Sequence, residues 1–488
     1  MARPGLRSLR LPPRYDRCVE RCTVVSMRLA LLVIALAAAA LLACSGGEDA
    51  SPRDADREVS PPASATATVG RSLLQDLDAL ANLAPSFDPA RIARVGEARD
   101  VRLAWMIADM MRFVAPGASD THLALVAAFS RLTGQPEGAV GFWVDASNYL
   151  LSNDVPAPDG YREWKGALYT RFDEEWAPFF GDADAEVDWR LISWGGVFID
   201  SRPIAGFEKR PIEEGVAFCG CIPALNDPAV TDVAGGDWYP DDRLVFGVEL
   251  NGEARAYPRH QMQVHEMVND TLGGRRIGLV YCTLCGTAQA FLTDTLPEGV
   301  VTPTGTLELR TSGLLARSNK VMFDLHTFSF FDTFRGRAIS GPLHDAGLEL
   351  EQLTVAVATW GEWKAGHPGT TIVAEDGGIG RHYPFDPLGG RDDAGPIFPV
   401  GEVDPRLPVQ DQVLGVRTGG VTVAFPEAAV RAALAQGLTV EHEGVTVRLI
   451  AGALAAFDRD GEPIATHQSF WFAWSQFFPE TEVWSGNQ

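Results

Sequence analysis

The chain has 488 residues, of which 46% are hydrophobic and 22% are charged, values typical of globular proteins with more than one domain. Its formal net charge of −23 excludes a general affinity for nucleic acid, because an acidic surface repels the phosphate backbone. The partners we expect are a membrane, reached through the N-terminal segment, and proteins that the sequence does not identify.

The N-terminal segment has the features of a secretory signal. Met27 and an Arg precede a short, uncharged apolar run that ends in Leu-Leu-Ala-Cys at Cys44. This ending resembles a bacterial lipobox, in which the Cys is acylated and becomes the mature N-terminus. We therefore predict a signal peptide over residues 1–43, with Met27 as the candidate true start, and lipidation of Cys44. The predicted location is the bacterial cell envelope, anchored by lipid to a membrane and facing the periplasm or the exterior.

Three regions of different composition follow. Residues 44–70 are rich in small, Pro and acidic residues, which is typical of a flexible tether. Over residues 71–185 apolar side chains recur every three or four positions, which predicts an all-helical module, with residues 161–180 as one amphipathic helix. From residue 190 to 486 short β-rich runs alternate with turn residues, so we predict a strand-dominated domain.

The strand-dominated domain contains an internal repeat. In each copy a strand, an Asn-Gly or Gly-Gly turn and a second strand end at a Pro, Pro258 in the first copy and Pro426 in the second. Further matches extend the copies to about residues 240–341 and 408–486. The predicted fold class is therefore α+β: an N-terminal all-helical module followed by a β-rich domain with a pseudo-duplicated, two-half strand architecture.

The candidate site is a Cys-x-x-Cys-Gly motif at Cys282 and Cys285, directly after an apolar run that reads as a buried strand. Two thiols at this spacing can bind a soft metal, exchange electrons as a dithiol, or form an inert disulfide. The second copy of the repeat has no Cys at the corresponding place, as expected if the domain has a single functional site.

Metal binding needs further ligands, and His265 supplies an imidazole near the motif. His265, Cys282 and Cys285 form a partial ligand set for Zn²⁺ or copper. Cys219 and Cys221 are possible additional ligands. Because those two lie too close in sequence to bridge one another comfortably, the disulfide alternative pairs them with the motif.

Polar residues beside His265 are further site candidates, namely Glu266, Asn269 and Asp270. Three functions remain open. The first is an envelope metal-binding protein for zinc or copper, with a storage, delivery or structural role. The second is a thiol–disulfide oxidoreductase using Cys282 and Cys285, and the third is a non-catalytic interaction domain with structural disulfides. Whether the chain is an enzyme depends on which of the three holds.

Several motifs resemble those of the bacterial domain-of-unknown-function 3179 family, over roughly residues 190–486. They are Leu244 to Pro258, His265-Glu266-x-x-Asn269-Asp270, Tyr281-Cys-x-Leu-Cys-Gly, Ser312-Gly313-Leu314-Leu315, Thr359-Trp360-Gly361-Glu362-Trp363 and the tail from Trp471 to Trp484. The resemblance implies a secreted or lipid-anchored envelope protein and no assigned activity. Family members read Asp-Gly-Ile-Pro-Ala-Leu where this chain has Cys-Gly-Cys-Ile-Pro-Ala-Leu. The resemblance therefore implies that the shared site is His265 with Cys282 and Cys285.

Overall fold

The structure is a computed structural model that describes residues 71–202, 220–390 and 395–486. The predicted signal peptide, Cys44, the tether and Cys219 lie outside the described residues. Helices form the first part of the described chain and strands dominate the rest, so the broad α+β character holds. None of the helices in those three ranges is long and apolar enough to cross a membrane.

The helical part begins at Arg71 and its helices are short. They are α1 (Arg71–Leu83), α2 (Pro89–Gly96), α3 (Ala104–Arg112), α4 (Asp120–Thr133), α5 (Trp143–Ser152), α6 (Tyr161–Tyr169) and α7 (Ala177–Gly181). Side-chain caps fix where several of them start: Asp88 accepts a hydrogen bond from a backbone N–H of α2, and Ser119 does the same for α4.

The single helix predicted over residues 161–180 is wrong. Helix α6 ends at Tyr169, and the side chain of Asp173 accepts a hydrogen bond from the backbone N–H of Glu175 at 3.1 Å. Asp173 thereby starts a separate turn that leads into α7, because an Asp side chain that bonds its own backbone competes with a continuing helix.

In the described part of the chain the strands are numbered in chain order, and five helices lie among them. The first strands are β1 (Ile192–Trp194), β2 (Leu225–Asn226), β3 (Val230–Thr231), β4 (Leu244–Leu250), β5 (Glu253–Pro258), β6 (Met267–Leu272), β7 (Arg275–Cys282), β8 (Thr287–Leu292), β9 (Leu309–Ala316), β10 (Asn319–Asp324), β11 (Phe330–Asp332) and β12 (Arg337–Ala338). The others are β13 (Gln352–Leu353), β14 (Ala356–Thr359), β15 (Thr371–Val373), β16 (Gln412–Thr418), β17 (Val421–Pro426), β18 (Val440–His442), β19 (Val445–Ile450), β20 (Ala453–Phe457), β21 (Pro463–Ile464), β22 (Thr466–Phe470) and β23 (Glu482–Val483). The helices are α8 (Arg259–His265), α9 (Gly341–Asp345), α10 (Trp360–Gly366), α11 (Glu427–Ala435) and α12 (Trp471–Phe477).

Within the described residues these strands form five small sheets, an arrangement like the blades of a β-propeller. Sheet 1 has the order β1-β9-β10-β11-β12, sheet 2 the order β13-β8-β7-β6-β2, and sheet 3 the order β14-β4-β5-β15-β3. Sheet 4 has the order β22-β16-β17-β23 and sheet 5 the order β18-β19-β20-β21.

The predicted two-half architecture is wrong, because the strands divide into these five sheets. The first hairpins of the sequence repeat do correspond to each other, as β4–β5 of sheet 3 and β16–β17 of sheet 4. Each hairpin has an antiparallel neighbour on one side and a parallel neighbour on the other. A hairpin motif specifies local strand pairing, whereas the number of sheets depends on long-range packing that the motif does not encode.

Both corresponding sheets place a Trp ring over a Gly at the centre of a strand. A Cβ atom on Gly415 would lie 2.0 Å from the ring of Trp474, and Gly247 lies in the same way under Trp363. The indole N–H of Trp474 donates to the hydroxyl of Thr481 at 2.9 Å. These strands therefore need Gly, since any side chain at that point would overlap the ring.

One hydrophobic core joins the helical part to sheet 1. The indole N–H of Trp176 donates to the carbonyl of Ser312 at 2.8 Å, and the rings of Phe179 and Phe330 stack with centroids 3.7 Å apart. A separate apolar cluster surrounds the Cys motif and includes Phe334, Val400, Trp471 and Trp474. The motif is therefore enclosed by side chains from the β11–β12 turn, from β16 and β17, from α12 and from the segment before β16.

Candidate functional site

The Cys-x-x-Cys-Gly motif forms the tight connection between β7 and β8. Cys282 is the last residue of β7, and a 3-10 turn covers Thr283–Cys285. Gly286 has a left-handed backbone with φ of 57°, and a Cβ atom there would lie 2.6 Å from the side-chain amide of Gln412. Gly is therefore required for two reasons, backbone conformation and close approach.

Both thiols of the motif are free and buried, with exposed fractions of 3% for Cys282 and 0% for Cys285. The S–H groups of both residues donate to the carbonyl oxygen of Ser318, which lies 3.7 Å from the Cys282 sulfur and 3.4 Å from the Cys285 sulfur. The backbone N–H of Lys320 donates to the Cys282 sulfur at 3.4 Å. The two sulfurs thus meet in a dry site with one donor aimed at Cys282.

A buried ion pair lies beside the thiols. Lys320 Nζ is 2.6 Å from Glu266 Oε2, and the two side chains are only 3% and 9% exposed. Lys320 Nζ also donates to the backbone carbonyl of Glu266 at 3.1 Å, and the Thr283 hydroxyl donates to Glu266 Oε1 at 3.0 Å. Glu266 has a left-handed backbone with φ of 54° because it caps the C-terminus of α8, where its N–H donates to the carbonyl of Met262 at 2.8 Å.

The two thiols ionise differently. Burial opposes ionisation of Cys282, but donation from the Cys285 S–H to the thiolate, together with the backbone N–H and the charge of Lys320, leaves the pKa of Cys282 below its ordinary value. Burial raises the pKa of Cys285 well above its ordinary value, and the hydrogen bond and charge of Cys282 raise it further. The first thiolate to form in this pair is therefore that of Cys282.

His265 lies at the end of α8, but both of its ring nitrogens have partners. Nδ1 is 2.8 Å from the carbonyl oxygen of Pro223, and Nε2 is 2.6 Å from the hydroxyl of Tyr383. Because a carbonyl only accepts, Nδ1 carries the proton and Nε2 accepts from Tyr383. Burial lowers the pKa of His265 to about 3, so the ring is neutral. Metal binding by His265 requires the loss of one of these hydrogen bonds.

The buried neutral His265 predicts acid sensitivity. The unfolded side chain takes up a proton near its ordinary pKa of 6.5, whereas the folded one does so only near 3. The unfolded state therefore binds more protons in this window, and the free energy of unfolding falls as the pH is lowered through it. In His265→Gln we expect the pH slope to be shallower by one proton, about 1.4 kcal/mol per pH unit.

Urea unfolding at about pH 7 and about pH 5 measures this slope. His382→Gln, which removes an exposed imidazole, is the matched control for the change of side chain. Equal slopes in His265→Gln and the wild type would show that the folded His265 titrates normally.

The other predicted site residues lie away from the two thiols. Cys221 is disulfide-bonded, and since Cys282 and Cys285 are free, the cross-pairing of Cys221 with the motif is not formed. Asn269 bonds the backbone of Leu309 through both of its amide atoms. Asp270 pairs with Arg255 at 2.6 Å and accepts from the hydroxyl of Tyr257 at 2.8 Å. Asn269 and Asp270 thus connect strands, and of the polar candidates it is Glu266 that reaches the thiols.

The donor set for a metal is small. Over residues 71–202, 220–390 and 395–486, no group of three or more His, Cys, Asp or Glu side chains has the geometry to hold a metal ion. The two motif sulfurs are the available pair, and Cys221 is bridged. Four-coordinate Zn²⁺ therefore lacks a ligand set among these residues, whereas a soft ion held by two thiolates does not need more.

Sequence reasoning missed Lys320 and Ser318, which lie next to the thiols. The only signal is that Lys320 directly precedes the apolar residues 321–323 of β10. A charge at such a position is buried only when it has a partner. Sequence spacing does not identify that partner as Glu266, because Glu266 lies 54 positions away, between α8 and β6.

Comparison with known proteins places the chain in a family without assigning an activity. A family model described as "Protein of unknown function (DUF3179)" matches residues 219–462, half of the chain, and this range contains His265, Cys282 and Cys285. No curated protein and no solved structure matches the chain. The resemblance drawn from the sequence motifs is confirmed over that range. The chain belongs to the DUF3179 family of proteins of unknown function.

Proposed function

We propose that this protein is a thiol–disulfide redox protein in which Cys282 and Cys285 interconvert between a dithiol and an intramolecular disulfide. The observation that carries the proposal is a pair of free, buried thiols on one carbonyl oxygen, of which Cys282 also accepts a backbone N–H, that of Lys320, at 3.4 Å. The thiolate is the attacking species in disulfide exchange. The thiol of lowered pKa, Cys282, therefore attacks the substrate, and the thiol of raised pKa, Cys285, resolves the mixed disulfide.

The exchange reaction takes two steps. The Cys282 thiolate attacks one sulfur of a disulfide substrate, a mixed disulfide forms, and the second substrate sulfur leaves as a thiolate. Cys285 then gives its proton to that leaving thiolate and attacks the Cys282 sulfur. The Cys282–Cys285 bond forms and the mixed disulfide breaks, so the substrate gains two electrons and the dithiol loses them.

Lys320 and Glu266 act on this reaction through position and charge. The ammonium of Lys320 favours the Cys282 thiolate, and the carboxylate of Glu266 holds that ammonium at 2.6 Å. Both are buried, so their charges act through a medium of low dielectric and are screened little by salt. Neither residue forms a bond with the substrate.

Access to the sulfurs limits the substrate class. Val400 packs in the cluster that encloses both thiols, and its carbonyl accepts from Arg317 and from Gln476, each at 2.6 Å. Asn148 accepts from the backbone N–H of Val400 at 2.8 Å, which ties the segment to α5. We therefore propose a small disulfide as the substrate, because it would displace the segment around Val400 less than a protein substrate would.

Alkylation of the full chain with iodoacetamide at increasing pH tests the proposal. We expect Cys282 to be labelled before Cys285, with the midpoint of its rate profile below the ordinary thiol pKa of 9.0 and that of Cys285 above it. Peptide mass spectrometry separates the two sites. Equal rates, or labelling of both only under unfolding conditions, would contradict the proposed division of roles.

Metal binding is the second candidate, and the pairing of two buried sulfurs in one turn favours it for a soft ion. Thiolates select Cu(I), for which the two motif sulfurs would be the ligands. The test is a Cu(I) titration of the reduced chain, compared with Cys282→Ser and His265→Gln. Binding of one equivalent that needs Cys282 and not His265 supports a two-thiolate site, and absence of binding rules it out.

We also propose that the protein is anchored in the cell envelope through a lipid on Cys44. The support is the signal-like segment and the lipobox-like ending at Cys44, both outside the described residues. An oxidising envelope compartment gives a dithiol disulfides to react with. Incorporation of labelled palmitate, and its loss in Cys44→Ser, checks the anchor.

A further inference from the structure

A short piece of chain without helix or strand, residues 398–401, forms part of the wall around the two motif thiols, and we call it the cover segment. Val400 of this segment lies in the apolar cluster that contains both cysteines. The hydroxyl of Ser318 donates to the carbonyl of Phe398 at 3.4 Å, and the carbonyl of Ser318 accepts from both sulfurs. The cover segment is therefore connected, through one residue, to the reacting atoms.

Helix α5 holds the cover segment from the helical part of the chain. The side-chain oxygen Oδ1 of Asn148 accepts from the backbone N–H of Val400 at 2.8 Å and from that of Gly401 at 2.9 Å. An amide oxygen has two lone pairs, so one Asn side chain can accept both bonds. A Cβ atom on Gly401 would lie 3.0 Å from the Cβ atom of Leu151, which shows that the helix and the segment are in close contact there.

The contacts from the strand-rich part of the chain reach a different side of the same backbone. Arg317 and Gln476 both donate to the carbonyl oxygen of Val400, each at 2.6 Å. These bonds use no N–H group of the segment, so Asn148 is not needed for them. Loss of the Asn148 acceptor would free the N–H groups while the carbonyl stays bonded, which favours a local opening over unfolding of the sheets.

We propose that Asn148 is a positioning residue that sets the size of the disulfides that reach Cys282. It holds the cover segment closed over the thiols, so small disulfides enter during brief local openings and larger ones are excluded. Asn148 lies before residues 219–462, the range that the family model matches, so helix α5 sets substrate size from outside the family domain. The statement about substrates rests on the proposed redox function, whereas access to Cys282 is measurable by alkylation alone.

Labelling of Cys282 in the full chain with two maleimides of different size, N-methylmaleimide and fluorescein-5-maleimide, tests the proposal. We expect Asn148→Ala to raise the rate of labelling by fluorescein-5-maleimide about tenfold, the effect of losing two hydrogen bonds that keep the segment closed, and to raise the rate for N-methylmaleimide less. The midpoint of the pH–rate profile should stay in place, because the N–H donor of Lys320 to Cys282 is unchanged. Peptide mass spectrometry identifies the labelled cysteine.

Two further variants separate the role of the Asn148 oxygen from a general effect on the helix. Asn148→Asp keeps an oxygen that accepts both N–H groups, so we expect it to retain the wild-type rates. Asn153→Ala is the matched control, because Asn153 is exposed and its Nδ2 donates to the carbonyl of Tyr149 at 2.8 Å, within the same helical region. Its labelling rates should also equal those of the wild type.

Amide hydrogen exchange distinguishes opening of the cover segment from unfolding of the whole chain. In Asn148→Ala the N–H groups of Val400 and Gly401 should exchange faster while those of β7 keep their wild-type rates. An unchanged fluorescein-5-maleimide rate in Asn148→Ala, an equal rise in Asn148→Asp, or equally faster exchange in β7 would overturn the proposal. If Asn148→Ala admits the large reagent but no Cys282–Cys285 disulfide forms in glutathione buffers, the redox function fails and the role of Asn148 in access stands.

Discussion

Replacement of Lys320 by Met is expected to lower the free energy of unfolding by about 3–5 kcal/mol. The reason is that Glu266, only 9% exposed, would keep a buried charge without its cation. The same substitution removes the positive charge that favours the Cys282 thiolate, so the pKa of Cys282 should rise above its wild-type value. Urea unfolding measures the first effect and pH-dependent alkylation the second.

The double variant Lys320→Met with Glu266→Gln shows whether the unpaired charge of Glu266 causes the loss of stability. It removes both charges, so we expect it to recover most of the lost stability while the pKa of Cys282 stays raised. Lys364→Met is the matched control, since Lys364 pairs with Asp241 at the surface and should cost less than about 1 kcal/mol. A loss of stability in Lys320→Met no larger than in Lys364→Met would contradict the buried ion pair.

Replacement of Cys285 by Ala is expected to abolish reversible two-electron oxidation of the site. Over the described residues Cys282 and Cys285 are the free cysteines, so the remaining thiol has no partner in reach. The substitution also removes the S–H donor that stabilises the Cys282 thiolate, and the pKa of Cys282 should rise. Alkylation with and without a small disulfide, followed by peptide mass spectrometry, records both changes.

Cys285→Ser separates these two effects. The hydroxyl still donates a hydrogen bond to Cys282 but cannot form a disulfide. We expect Cys282 in this variant to be alkylated faster at neutral pH than in Cys285→Ala, and a mixed disulfide with the small disulfide to accumulate because nothing resolves it. Equal alkylation rates in the two variants would show that the hydrogen bond from Cys285 does not set the pKa of Cys282.

The local geometry of the Cys motif can be predicted from the sequence. Gly286 after the second Cys indicates a tight turn with a left-handed residue, and the apolar run before Cys282 indicates a buried strand. Both features depend on neighbouring residues, so the local geometry of the motif is predictable. The hairpins β4–β5 and β16–β17 are predictable for the same reason, because their turn and strand residues are adjacent in the chain.

The surroundings of the motif depend on contacts between distant residues. Ser318, whose carbonyl lies by both sulfurs, is 36 positions from Cys282, and Tyr383, the partner of His265, is 118 positions from it. No periodicity or spacing rule connects such pairs. Proximity in sequence therefore predicts His265 beside the thiols, whereas in the fold its ring nitrogens bond the Pro223 carbonyl and the Tyr383 hydroxyl. The division into five sheets likewise depends on contacts between residues far apart in the chain.

An equilibrium redox titration shows whether Cys282 and Cys285 form a reversible redox pair. The full chain is incubated in buffers with an increasing ratio of oxidised to reduced glutathione, and free thiols are trapped by alkylation. Mass spectrometry then gives the mass of the peptide that contains both cysteines. We predict one transition in which both alkylation sites disappear together and return on reduction. A peptide that remains doubly alkylated in every buffer, or whose two cysteines each carry a separate glutathione, would contradict the account.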